Sequence, residues 1–276
     1  METCLLSYYL HNKEVKSSCD FNLTINSITI GVYEVIRVID GKPLYLESHI
    51  DRFYNSCKIS NINTSITFHE IKKRIQILIE LNSISTGNIK WALIVENNQQ
   101  NFYLWLSPYF YPSDELVESG ISCELYKATR DNPNSKNFKE LLQNKIRKYI
   151  IDKELYELIL IDENNKIYEG SRTNLFFSKD NKLFTSKDSD VLQGISRDKV
   201  IEICNKNEII ITKRDIYASE INTFDFAFLS GTSINILPIK NIGELVFRTD
   251  SELFIRILEL YKLKVKSYIN EFEWNL

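Results

Sequence analysis

The stretch Tyr168-Glu169-Gly170-Ser171-Arg172-Thr173-Asn174-Leu175-Phe176 decides the reading of this chain. An apolar strand ends on a carboxylate, a Gly-Ser turn follows, and a second apolar strand runs on from Thr173. Two more Gly-bearing turns come later in a fixed order, Leu192-Gln193-Gly194-Ile195-Ser196-Arg197 and Leu229-Ser230-Gly231-Thr232-Ser233. The first turn supplies a carboxylate. The others supply backbone N–H groups and hydroxyls. As a set they read as a socket for a phosphorylated cofactor with a basic ring nitrogen.

The chemistry of each part follows from its residue types. Glu169 at a strand end can hold a pyridine nitrogen in its protonated form, which makes the ring an electron sink. Gly194-Ile195-Ser196 opens a helix, with Ser196 expected as its N-cap. The free N–H groups and the positive end of a helix dipole make a phosphate site. Lys136, in Asn134-Ser135-Lys136-Asn137-Phe138, lies at a strand-to-helix junction upstream. A lysine with a lowered pKa forms a Schiff base with an aldehyde. Arg52 follows His49 by one helical turn in Glu47-Ser48-His49-Ile50-Asp51-Arg52, and a guanidinium suits a phosphate. Taken singly, each has a plainer reading: a surface lysine, a glutamate paired with Arg172, a capped helix, a polar turn, an exposed helical pair. Arg197 reads as one half of a structural ion pair.

The chain's 276 residues, 43% hydrophobic and 26% charged, fit an ordinary globular protein of one large or two modest domains. A net charge of −3 gives no basic footprint for nucleic acid. Five scattered cysteines without a Cys-x-x-Cys pair argue against a disulfide framework or a zinc site and fit a reducing cytosol. Cys57 and Cys204 fall at apolar helical spacing and read as small buried hydrophobes. The start of the chain lacks the basic region of a signal peptide, and no apolar run reaches the roughly 18 residues of a membrane span. The expectation is a cytoplasmic protein with neither membrane nor nucleic-acid partner.

Alternation predicts a strand over 31–38, a turn at Asp40-Gly41 and a returning strand over 43–46. Helices are expected over 48–60 and after the capping box Thr67-x-x-Glu70. A strand pair over 88–96 and 102–106 flanks the polar turn Asn97–Asn101. Prolines 108 and 112 mark a break. Residues 1–113 are expected as a small N-terminal domain, 114–118 as a linker and 119–276 as a larger cofactor-binding domain. In the second half, Gly120–Lys127 reads as a strand and Phe138 to Ile150 as a helical stripe. Hairpins turn at 163–165 and 180–181, Phe224–Leu229 reads as a buried strand, and an amphipathic helix closes the chain from Ser251 to about Lys264.

In order and spacing these segments, from Gly31-Val32-Tyr33-Glu34 through Glu47–Arg52 to Ser230-Gly231-Thr232, resemble the class IV, or fold-type IV, pyridoxal-phosphate enzymes. That family includes branched-chain and D-amino-acid aminotransferases and aminodeoxychorismate lyase. The resemblance implies an α/β fold with a small N-terminal α/β domain and a larger C-terminal pseudo-barrel domain, as a homodimer. It implies that Lys136 holds pyridoxal 5'-phosphate as an internal aldimine and moves the proton. Glu169 would pair with the ring nitrogen, and Arg52, Ile195, Ser196 and Thr232 would hold the phosphate. Asn174 would brace the turn, Tyr33 would line the substrate pocket, and the Ser233 N–H would face the substrate carboxylate. There are departures. Ser27-Ile28-Thr29-Ile30-Gly31 replaces a Gly-Asp-Gly turn, and Lys139 stands where many members have asparagine. Asn97–Asn101 lacks the Arg and His that bind the carboxylate in D-amino-acid enzymes.

The activity expected first is transamination between an amino acid and a 2-keto acid. The alternatives are release of pyruvate from aminodeoxychorismate and a binding role without catalysis. With three histidines and no His-Glu-x-x-His, Gly-x-Ser-x-Gly, Walker or Gly-x-Gly-x-x-Gly motif, zinc-peptidase, serine-hydrolase and nucleotide-loop chemistry are not expected, and neither is a metal.

Overall fold

A computed structural model describes the chain apart from residues 1, 27–28, 98, 130–132, 139 and 276, with Glu140 described by its backbone only. The expectations placed on Lys139, on Ser27 and Ile28, and on Asn98 lie outside the described residues. The chain divides into two compact units, Met1–Phe110 with Ser135–Glu140 and Lys264–Leu276, and Tyr111–Asn134 with Leu141–Leu263. The division is not a single cut near residue 113: the Lys136 segment and the C-terminal stretch both count with the first unit.

The first unit is built on an antiparallel sheet of β1 (Tyr8–His11), β2 (Glu14–Ser17), β3 (Ile30–Ile39), β4 (Lys42–Pro43), β5 (Gly87–Glu96) and β6 (Gln99–Ser107). Their order is β2-β1-β6-β5-β3-β4. The strand expected over 43–46 stops at Pro43. Tyr45 takes a left-handed conformation (φ 57°), and α1 (Leu46–Ile59) starts at the next residue. The capping box forms as expected: the Thr67 hydroxyl accepts from Glu70 N, the Glu70 carboxylate accepts from Thr67 N, and α2 (Phe68–Asn82) follows. The β5–β6 turn is tighter than expected, because Glu96 already pairs with Gln99.

Period-two alternation along β3 sorts its side chains onto two faces. Val32, Glu34, Ile36 and Val38 are buried, while Tyr33, Val35 and Arg37 on the other face are half-buried. The first face joins Ile50 and Phe53 of α1, Ile75 and Leu78 of α2, and Trp91 in one core. The neighbours Tyr33 and Glu34 are thereby sent to opposite sides of the sheet.

The second unit opens with α3 (Asp114–Ser119), capped by Ser113, where 114–118 was expected as a linker. Then come β7 (Ile121–Lys127), α4 (Glu140–Asp152), β8 (Glu157–Ile161), β9 (Lys166–Gly170), β10 (Asn174–Lys179), β11 (Lys182–Thr185), α5 (Ile195–Lys206), β12 (Ile211–Lys213), β13 (Ile216–Tyr217), β14 (Phe226–Gly231), β15 (Asn235–Ile242), β16 (Leu245–Val246) and α6 (Glu252–Glu271). The strands form one ten-stranded mixed sheet in the order β12-β11-β10-β14-β15-β7-β8-β9-β13, with β16 beside β15. Phe138 precedes α4 rather than joining its stripe, and Leu141 is exposed, so the helix's buried side starts later, around Ile146. Helix α6 runs seven residues past the expected end at Lys264. In that extension the Tyr268 hydroxyl donates to Glu47 Oε2 at 2.7 Å and accepts from Leu46 N at 2.9 Å.

Candidate functional site

The expected residues fall into two sets, one in each unit. In the second unit β9 ends on Glu169-Gly170 and β10 starts at Asn174, so the turn between them is only three residues long. Glu169 is buried, and its Oε2 accepts from Asn174 Nδ2 and from Leu192 N, both at 3.1 Å. Asn174 Nδ2 also donates to Leu192 O at 2.8 Å. Glu169 is therefore joined to the first and second quoted turns, while Arg172 Nη2 donates to Tyr156 O.

Ser196 is not the N-cap of α5. Gly194 takes that position, no side chain caps it, and Ser196 lies buried in the first turn. Asn174 dictates the glycine: a Cβ on Gly194 would sit 2.0 Å from Asn174 Oδ1. Helix α5 thus starts with a buried first turn whose leading N–H groups have no capping side chain. Such groups need an acceptor, and an anion supplies one. Thr232 and Ser233 form a half-buried turn between β14 and β15. Beside it the Ser230 hydroxyl, opposite Asn174 in the sheet, is buried with no hydrogen-bond partner among the described residues. Arg197 is fully buried as an ion pair, with Nη1 2.8 Å from Asp188 Oδ1 and Nη2 donating to Ser186 O at 2.7 Å.

The motif reading missed Glu157. Its carboxylate is completely buried and accepts from Ser171 N and Thr173 Oγ1 at 3.1 Å, from Arg172 N at 3.3 Å, from Leu158 N at 2.9 Å and from the Ser171 hydroxyl. The turn after Glu169 is wrapped around this second carboxylate. Gly170 gives it room, since a Cβ there would lie 3.3 Å from the Glu157 carboxyl carbon and 2.0 Å from Thr173 Oγ1. The one sequence signal was a glutamate at the head of the apolar run Leu158-Ile159-Leu160-Ile161.

In the first unit Arg52 forks onto Glu34, Nε to Oε1 at 2.6 Å and Nη2 to Oε2 at 2.7 Å. His49 Nδ1 lies 2.9 Å from Glu34 Oε2. His49 and Arg52 are therefore not an exposed helical pair. Both meet a carboxylate that the motif reading passed over, although its place among Val32, Ile36 and Val38 marked it as buried. Burial pushes the Glu34 carboxyl up, and the Arg52 guanidinium and His49 more than offset this, bringing it down to about 2. Burial also moves His49 below its ordinary value, against the pull of Glu34.

The Lys136 segment is held by backbone. Tyr33 N donates to Lys136 O at 3.0 Å, Asn137 bridges Val32, and Lys136 N donates to Ser56 Oγ at 3.1 Å. Lys136 Nζ lies 5.0 Å from the centre of the Tyr33 ring, which stacks on Phe138. Cys57 and Cys204 are buried as expected, and burial pushes both thiols up to about 12. Among the described residues no group of His, Cys, Asp or Glu could hold a metal ion, and no helix is long and apolar enough to cross a membrane.

The chain matches the family of class IV amino-transferases over residues 31–242. It is 29% identical to the "Probable branched-chain-amino-acid aminotransferase" of Thermotoga maritima, over 82% of each chain. It is 27% identical to the aminodeoxychorismate lyase of Bacillus subtilis, over 88% of each. The Escherichia coli branched-chain amino acid aminotransferase shares the fold, with a TM-score of 0.85 at 22% identity over 98% of each chain.

Proposed function

Since this chain belongs to the class IV aminotransferase family, we propose that it moves an amino group between an amino acid and a 2-keto acid with pyridoxal 5'-phosphate as its cofactor. The observation that carries this reading is the buried Glu169 carboxylate, fixed by Asn174 and the Leu192 N–H in the unit where α5 begins uncapped. Those donor and acceptor types fit the cofactor's ring nitrogen and phosphate. When bound, the cofactor supplies an aldehyde for the amino group and a ring that stores the electron pair released at the substrate's α-carbon.

Glu169 holds the proton on the ring nitrogen, and Asn174 keeps its carboxylate oriented. Backbone N–H groups of Ile195 and Ser196, the Thr232 hydroxyl and the Arg52 guanidinium hold the phosphate. Glu34 fixes the Arg52 fork in advance, so little side-chain entropy is lost on binding. Lys136 Nζ would hold the cofactor at its aldehyde carbon until the substrate's amino group replaces it, and would then move the proton at the substrate α-carbon. Tyr33 lines the substrate's place, and the Ser233 N–H donates to its carboxylate. The working form is a homodimer in the cytosol, a reading supported by the family resemblance and by five free cysteines.

The test is an absorbance spectrum of purified protein with added pyridoxal phosphate, followed by a panel of D- and L-amino donors with 2-keto acid acceptors. A near-visible cofactor band that Lys136→Ala abolishes, with amino transfer to a keto acid, is expected. Pyruvate release from aminodeoxychorismate without any amino acceptor would overturn transamination in favour of the lyase. Absence of the band would overturn the cofactor assignment.

A further inference from the structure

Helix α1 reaches the Lys136 segment with the same face that carries Arg52. Arg52, Ser56 and the C-cap Ser60 follow one another at intervals of four, so each lies about 6 Å further along the axis on one side of the helix. Ser56 is completely buried, and its hydroxyl accepts from Lys136 N at 3.1 Å. One turn on, the Ser60 and Ser135 hydroxyls lie 2.9 Å apart, and Ser135 Oγ donates to Ser56 O at 3.4 Å. A helical serine hydroxyl ordinarily bonds back to its own helix. Here two of them meet a segment 75 to 80 residues further along the chain.

These contacts close a ring. Lys136 O accepts from Tyr33 N at 3.0 Å. The next residue of β3, Glu34, takes the Arg52 fork. One turn along α1 from Arg52 comes Ser56, which returns to Lys136 N. Strand, helix and lysine segment fix one another, and every link lies in the first unit. The lysine's charge is felt in the same place: burial is the main cause that lowers His49, and the Lys136 ammonium adds to it. A lysine on an unanchored loop would vary in its distance from Arg52. In the ring that distance is set before a ligand arrives, which favours a ligand held at two points.

We propose that Ser56, backed by Ser60 and Ser135, is a positioning residue that sets the separation of Lys136 from Arg52, so that α1 favours an aldehyde bearing a phosphate over one without it. The assignment rests on the cofactor reading for the identity of the ligand and on the ring of contacts for its geometry.

The experiment compares wild type with Ser56→Ala, which removes one hydroxyl and little volume. The first measurement is hydrogen exchange of the protein without cofactor, resolved to single amides by fragment mass spectrometry. Loss of the hydrogen bond should speed exchange at Lys136 N about tenfold, while Ile36 and Val38 of β3 keep their wild-type rates. The second is the affinity for pyridoxal 5'-phosphate and for pyridoxal, each followed by the near-visible band. A misplaced lysine weakens the ligand held at two points more than the one held at one. The advantage of the phosphorylated aldehyde should therefore fall about tenfold. Neither measurement needs turnover, so failure of the amino-donor panel is a separate result.

Faster exchange at Lys136 with a reduced phosphate advantage supports the assignment. Unchanged exchange overturns it, and so does equal weakening of both aldehydes, the mark of a serine that only supports the fold. If wild type gives no band with either aldehyde, the cofactor reading fails, and exchange alone decides whether Ser56 holds Lys136. If Ser56→Ala does not fold, Ser60→Ala is measured in the same two ways: changes in the same directions support the assignment and no change overturns it.

Discussion

Two buried carboxylates, one in each unit, are neutralised in opposite ways. Glu34 meets a charge, the forked guanidinium of Arg52, with the His49 imidazole beside it at hydrogen-bond distance. Glu157 accepts from five donors among the described residues, all of them backbone N–H groups or side-chain hydroxyls. The difference shows what each carboxylate is for. An ion pair spends its geometry on holding one long side chain, so Glu34 aims Arg52. A ring of short donors holds a stretch of backbone, so Glu157 shapes the turn between Glu169 and Asn174. The first arrangement is strong because opposite charges attract in a medium of low polarity. The second is strong in shape, since four of its five donors are different atoms of one turn.

The largest effect should come from breaking the charged case. Glu34→Gln leaves a nearly buried guanidinium facing an amide. It should cost about 3–5 kcal/mol of stability, the usual result of orphaning one partner of a buried ion pair, measured by urea denaturation. A smaller loss would mean that Arg52 finds another partner and that the contrast between the carboxylates is overdrawn. Glu157→Gln should cost less, about 1–3 kcal/mol, because the new amide N–H₂ must turn at least one donor away. Its clearer mark should be weaker retention of pyridoxal phosphate, measured by dialysis and absorbance. Unchanged retention would separate Glu157 from the proposed cofactor site. Thr173→Val removes a single donor and should cost about 0.5–1.5 kcal/mol, which a urea midpoint can resolve.

The smallest effect is a pH slope confined to the charged case. His49 lies below its ordinary value of 6.5 in the folded chain, so the unfolded chain binds more protons as pH falls through that value. Glu34, brought from 4.5 to about 2, adds stability above pH 4.5 that is lost as pH falls towards 2. Stability should therefore decline below pH 6.5 and again below 4.5. His49→Gln should flatten the first decline and leave the second, as read from thermal midpoints across the pH series. An identical decline in His49→Gln would remove the imidazole from the account.

Much of the fold was legible in the sequence because its signals are local. The capping box at Thr67 and Glu70, the hairpin turns at 163–165 and 180–181 and the alternation of β3 each depend on contacts a few residues apart. The misreadings were also local. Ser196 looked like a cap because serine favours that position, but Asn174 crowds residue 194 so closely that only glycine fits there, and the helix begins one residue later. The strand expected through Leu46 gave way to α1, whose N-terminus is tied to Tyr268, 222 residues further on.

The three Gly-bearing turns, their order and the carboxylate at 169 were written in the sequence, because residue type and short-range spacing fix a turn's chemistry. The joining of Arg52 to Glu34, the folding of the 170–174 turn around Glu157 and the seating of Lys136 between Ser56 and Tyr33 were decided only by tertiary structure. Each depends on strand register and helix packing, which bring together atoms that no local pattern relates.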